Sequence, residues 1–252
     1  MLAEVDDTGA QDRTDPASDP SGLADAFAQV ARSLVAEDDL PAVLSRISTL
    51  AVQTIDGAEH CGITLVSAGV VRTAGSSDEV PERVDRLQYE TGEGPCLSAI
   101  REHQVFRSDD IRDEDRWPSF VRRAEEETGV RSILSFRLFI GEDTLGALNL
   151  YAGSPGSFGE DDVHVGAVFA AHAAVAMESA GQVDDLRTAL RTRDVIATAK
   201  GIIMAESDLD DDQAFDVLRR ASQRTNVKLR EVAAEVVDRH SSTGTAAEPE
   251  VP

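Results

Sequence analysis

Apolar side chains recur along this chain at two spacings. The series Leu23, Phe27, Val30, Leu34 steps by three and four residues, and after Pro41 so does Leu44, Ile47, Leu50 with Val52 and Ile55. That spacing predicts two opening helices. HCGITLVSAGVVRTAG then alternates around Ser-Ala-Gly, which predicts a β-hairpin. A short helix is expected over residues 78–88, and a second from Pro95 to about residue 103, with proline at the first helical position where its missing N–H costs nothing. Val105-Phe106-Arg107 reads as a short strand and residues 118–128 as a helix ended near Gly129. Residues 131–140 and 144–151, joined by Gly141-Glu142-Asp143, form a second hairpin pattern. Strands and helices in this order predict an α+β domain, an antiparallel sheet with helices packed on it.

Residues 161–204 carry a nearly continuous helical pattern interrupted by Gly181, with Val183, Leu186 and Leu190 as a short seam at three- and four-residue spacing. The seam is too brief to specify a coiled coil alone, yet a long helix leaving one domain for another is a natural dimerising connector. Beyond Leu209, Asp210 is placed to cap a helix running to about Thr225, and residues 228–239 form another. Gly201 lies inside a helix at a cost of roughly 1 kcal/mol relative to alanine, so a close helix–helix approach is expected there. Residues 1–22 and 241–252 are poor in large apolar side chains and are expected to be unstructured. The domains are therefore expected at 23–180 and 181–240.

Composition sharpens this outline. The 252 residues include 24 Lys and Arg against 47 Asp and Glu, a net charge of −23, with 41% hydrophobic and 4% aromatic residues. The apolar fraction suffices for a real core. So negative a chain repels a polyanion as a whole, and any contact with nucleic acid must be confined to a local patch. The acid is unevenly placed: residues 186–240 hold ten acids and ten bases, and Gln213–Arg230 holds five bases against Asp216 alone. The only two lysines, Lys200 and Lys228, both fall in this last part. The longest nearly uninterrupted apolar run, residues 165–177, is 13 residues and contains His172, short of the roughly 20 that a bilayer span needs. The N-terminal residues lack the basic and apolar regions of a secretory signal, so a cytoplasmic location is expected. Cys61 and Cys96 give no zinc spacing, and the histidines are scattered, so no metal site is expected.

Two stretches resemble known families. GEGPCLSAI, DEDRWPSF, GVRSILSFRL and GALNLYA, within residues 23–180, resemble a GAF domain, a small-molecule sensor fold. TRDVIATAKGIIMAE, DDDQAFDVLRRASQRTN and KLREVAAEVV resemble the ANTAR domain, a three-helix RNA-binding module of transcription antiterminators. The resemblance implies a GAF-like antiparallel sheet flanked by helices, then a long connector helix and a C-terminal three-helix module. It also implies a homodimeric regulator that binds hairpins in nascent RNA, under control of a small-molecule signal of unknown identity, with no catalytic residues.

Loop bases are recognised by stacking on aromatic or guanidinium planes, and phosphates by cations. Arg193 and Lys200, seven residues apart, lie nearly in line on the first helix of the module. Arg220 and Arg224 are neighbours on the second, with Arg219 beside them, and Ser222, Asn226 and Lys228 add polar groups near the following turn. Phe215 belongs to the run Ala214, Phe215, Val217, Leu218, Ala221, which reads as a buried face, yet it also sits one turn before Arg219, where it offers a stacking surface.

In the sensor, the GAF resemblance places Gly92, Gly94 and Cys96 near the wall of the ligand cavity. A helix starting after Gly94 would favour a thiolate at Cys96 and an anionic or polar ligand at its N–H groups, whereas a plain buried thiol is the simpler reading. Free methionine sulfoxide reductases are a catalytic version of the fold, with Cys61 a conceivable resolving thiol, but the chain has one Trp and two Tyr, too few for their aromatic cage. A DNA-binding regulator is the other alternative, and the AKGIIM run speaks for ANTAR instead.

Overall fold

The computed structural model describes residues 20–37 and 39–244. The segments expected to be unstructured fall outside these residues, apart from the first turn of the opening helix and the last turn of the closing one. Backbone contacts divide the chain into two compact units, 1–181 and 182–252.

The first unit contains α1 (Pro20–Val35), α2 (Leu40–Thr54), β1 (His60–Ser67), β2 (Val70–Ser76), α3 (Glu79–Thr91), α4 (Pro95–Glu102), β3 (Phe106–Ser108), α5 (Pro118–Thr128), β4 (Ser132–Ile140), β5 (Asp143–Ala152) and the start of α6 (Glu160–Ser207). A single 3-10 turn, Ile111–Asp113, interrupts the loop before α5. The five strands form one antiparallel sheet in the order β2-β1-β5-β4-β3. Each expected hairpin forms with a two-residue turn. Ala68 and Gly69 both take positive φ between the paired Ser67 and Val70, and Gly141, at φ 57°, opens the turn between Ile140 and Asp143.

Alternation sorts the strand residues onto two faces. Cys61 and Ile63 of β1, Leu134, Phe136 and Leu138 of β4, and Leu148 and Leu150 of β5 join a core with α1, α2 and the first half of α6. The opposite face, with Ile133 and Tyr151, packs on α3, α4 and α5 through Val84, Leu87, Ala99, Phe120 and Ala124. Trp117 is buried in this second core and donates its indole N–H to Ser98 Oγ at 3.0 Å.

Over one stretch α6 is long and apolar enough to cross a membrane by length and composition alone. Phe169, Ala170, Ala173, Ala174 and Met177 are nonetheless buried in the first core, which accounts for that apolarity.

The second unit comprises the end of α6 with α7 (Asp211–Thr225) and α8 (Leu229–Gly244). Ala199, Leu218, Val232 and Ala233 form its buried centre, and Val195, Ile196, Ile203, Ala221 and Leu229 close around them. Asp210 caps α7 in both directions: its carboxylate accepts from Gln213 N, and the Gln213 side chain accepts from Asp210 N. The close approach expected at Gly201 is not found. Gly201 is exposed, and a Cβ there would meet nothing within 4 Å. The module's helices meet instead through the neighbouring Ala199.

Candidate functional site

In the second unit, α6 and α7 frame an open groove of about 600 Å3 lined by Ala189, Thr192, Arg193, Ile196, Ala197, Lys200 and Phe215. Its origin is periodic. Ile196, Ala197 and Lys200 lie three, four and seven residues after Arg193 and so share one strip of α6 beside the buried Ala199. Phe215 enters from the first turns of α7. It is 38% exposed while its neighbours Ala214 and Leu218 are buried, so the buried-face reading of Phe215 is corrected. The reason is angular: Ala214, Leu218 and Ala221 already fill the arc that faces the core, and Phe215 falls about 100° from Ala214.

The groove thus gathers three of the nine residues expected to touch RNA. The others are placed differently. Arg219 is held by Asp216 at 2.7 Å, one turn before it. Arg220 and Arg224 lie about 140° and 180° around α7 from Phe215, on another side of the helix. Arg220 donates to the Asp216 carbonyl at 3.3 Å. Ser222 gives its hydroxyl to the Val227 carbonyl at 2.6 Å, and Asn226 is the left-handed cap of α7 at φ 54°. Those two build the turn into α8. Lys228 is exposed, and its carbonyl accepts the first N–H groups of α8. None of the five bases of Gln213–Arg230 lines the groove, whose cations Arg193 and Lys200 both come from α6.

In the first unit the three expected pocket residues separate. Gly92 caps α3 at φ 70° and lines an open cleft of about 520 Å3 with Glu93, Ser98, Arg101, Phe106, Arg116 and Trp117. Gly94 and Cys96 are buried behind it. Gly94 takes φ 134°, and a Cβ there would stand 2.3 Å from Gln88 Oε1, so glycine is required by both conformation and space. That same Gln88 oxygen accepts the Cys96 N–H at 2.9 Å, so the amide expected to meet a ligand is already engaged. Glu93, between the glycines, accepts from Ser119 N and Phe120 N at the start of α5. These N–H groups hold its carboxyl below the usual range.

Of the two readings of Cys96, its surroundings favour the plain buried thiol over the thiolate. Burial, and then the charge of Asp85, push the Cys96 thiol up to about 12. Complete burial raises Cys61 as well. A one-turn dipole does not offset loss of water around a thiolate. Cys96 belongs to a buried polar cluster that sequence inspection missed. Asp85 of α3 accepts from Thr73 Oγ1 at 2.9 Å, from Tyr151 OH, from Gln88 Nε2 at 3.3 Å and from Asn149 Nδ2 at 3.4 Å. Thr64 Oγ1 lies 2.8 Å from Tyr89 OH and 3.3 Å from Cys96 Sγ. Ser135 Oγ and Asn149 Oδ1, from paired positions on β4 and β5, have no hydrogen-bond partner among the described residues. No cation pairs with Asp85 among the described residues, and desolvation pushes its carboxyl up to about 6. The signal for this cluster was present as Asp85, Gln88 and Tyr89, polar groups at i, i+3, i+4 beside Val84 and Leu87 on the apolar stripe of α3.

Comparison with known proteins follows this division. Residues 37–178 match the family model described as GAF domain, and residues 184–237 match the one described as ANTAR domain. No curated protein matches the chain. Among solved structures, the free methionine-R-sulfoxide reductase from Neisseria meningitidis, in complex with its substrate, is 17% identical, with 67% of this chain and 94% of that one covered and a TM-score of 0.52. The GAF domain of an Acinetobacter phosphoenolpyruvate-protein phosphotransferase is 14% identical, covering 65% of this chain and 97% of that one, also at 0.52. At such identities the likeness establishes the fold alone.

Proposed function

Because the chain belongs to the GAF domain family and carries an ANTAR domain after it, we propose that it is a signal-responsive regulator that binds hairpins in nascent RNA and thereby controls transcription termination. The domain pair indicates a regulator of the ANTAR type in preference to an enzyme. On this reading residues 23–180 sense a small molecule, residues 181–240 bind RNA, and the protein works as a cytoplasmic homodimer through α6.

One observation carries the RNA reading: Arg193, Lys200 and the half-exposed Phe215 converge on one groove inside the segment matched by the ANTAR model. An aromatic face between two cations suits a splayed base and its phosphate. Arg220, Arg224 and Lys228 then serve a second stretch of backbone. The reductase reading loses support from its own thiols, since both are buried and raised far above the range of an attacking thiolate.

Binding of the full chain to hairpin RNA and to duplex DNA of equal length tests the proposal. Hairpin RNA is expected to bind more tightly. Arg193→Ala and Phe215→Ala are each expected to weaken it by about tenfold, the scale of one lost stacking or phosphate contact. Absence of binding to any structured RNA at low salt overturns the reading, and preference for duplex DNA transfers it to a DNA-binding regulator.

A further inference from the structure

The groove that holds Arg193 and Phe215 contains a cation that the protein has already neutralised. Lys200 Nζ lies 2.6 Å from Asp211 Oδ2. The lysine side chain is 19% exposed, sunk into the groove, while the Asp211 side chain is 67% exposed at its rim. Arg193, on the same strip of α6, makes no ion pair among the described residues. Asp211 is not needed to start its helix, because Asp210 supplies the cap and Gln213 returns it. Its position in the first turn of α7 does suit a negative charge. The one acid aimed at the groove's lysine therefore stands where an oxyanion is favourable, and is free to leave without unwinding the helix.

Resting on the RNA reading above, we propose that Asp211 is a specificity-determining residue of this groove. Its carboxylate holds the place on Lys200 that a backbone phosphate takes when RNA binds. Carboxylate and phosphate are both oxyanions, so the exchange keeps Lys200 paired and returns an exposed carboxylate to water, where such a pair was worth little to begin with. The displaced carboxylate remains close to the incoming phosphate and repels it. A polyanion that offers charge alone meets this repulsion without compensation, whereas an RNA loop that also reaches Arg193 and Phe215 overcomes it. Asp211 thus lowers affinity for every polyanion by a similar factor, so that ligands held by charge alone fall below the threshold of binding while a loop that also contacts Arg193 and Phe215 stays above it.

The test uses the full chain as wild type, Asp211→Asn, Lys200→Gln and the double variant, titrated with hairpin RNA, with a single-stranded homopolymer and with inorganic polyphosphate over a salt series. Asp211→Asn is expected to bind all three ligands more tightly, by about threefold to tenfold at low salt, so that the homopolymer and polyphosphate become detectable binders at concentrations where only the hairpin bound wild type. Freeing one lysine should steepen the dependence of log K on log salt by about 0.7 for the single strand. In the Lys200→Gln background the same substitution should leave the slope unchanged and keep only a small part of the affinity gain, the part due to repulsion alone. An unchanged affinity and slope in Asp211→Asn, or a gain as large without Lys200 as with it, overturns the proposal and leaves RNA binding intact. If hairpin RNA does not bind and polyphosphate still tightens through Lys200, the exchange stands and the RNA reading falls.

Discussion

Asp85 is a carboxylate buried against Tyr151, Thr73, Gln88 and Asn149 with no cation beside it among the described residues, and its folded pKa of about 6 exceeds the ordinary value of 3.8. The fold therefore favours the protonated acid. Its stabilising contribution is complete below about pH 4 and is lost as pH rises through about 6, a difference of about 3 kcal/mol by linkage. Asp85→Asn removes this dependence. Measured by denaturant unfolding from pH 4 to 7.5, wild type should lose stability relative to the variant as pH rises, and parallel curves would contradict the assignment. The residue scale is also where sequence reading was weakest. Gly94 was recognisable as the residue before a helix start, but nothing in GEGP discloses that Gln88 fills the space a side chain would need. A helix start left a reactive Cys96 open beside the simpler buried thiol, and burial decided for the latter. Likewise Phe215 sits in an apolar run, yet whether it or its neighbours face the core depends on where α8 lies.

At the scale of elements, local chemistry was nearly sufficient. Proline at the first position of α4 and α5, glycine caps on α3 and α5, and Asp210 ahead of α7 each act within one turn, so their signals survive in the sequence. The capping box makes a quantitative statement. Asp210→Ala leaves the Gln213 amide without its acceptor and should destabilise the C-terminal unit by about 1 kcal/mol. Amide hydrogen exchange along residues 211–218 would report it as faster local opening, and an unchanged rate would mean that the cap is redundant. Gly201 is the instructive failure at this scale. Its cost inside α6 suggested a helix packed against it, but the contact is made two residues earlier at Ala199, and which face of a helix is covered is a property of its neighbours.

For the whole molecule, the charge of −23 and the exposed seam of α6 must be considered together. All residues from 182 to 190 are exposed, including Val183, Leu186 and Leu190, which leaves three large apolar side chains in water at three- and four-residue spacing. A second copy of the same helix is the covering that the proposed homodimer supplies. Leu186→Glu with Leu190→Glu should then shift the protein to monomer in sedimentation velocity and weaken binding to paired RNA hairpins. A dimer that persists would place the interface elsewhere. The acid of the first unit repels a polyanion, which on the proposed reading leaves RNA contact to the C-terminal surface.

What the sequence determined by itself were quantities that depend on near neighbours: the element order, both hairpins, the caps, the two family resemblances and the concentration of base in the last quarter. Periodicity and turn chemistry act over a few residues, so a single chain records them. The tertiary structure decided which of the nine candidate contacts share a groove, that Asp211 already occupies Lys200, and that Asp85 gathers a polar cluster from α3 and three strands. Each of these joins side chains from different elements, and burial and charge pairing arise only when packing brings those elements together.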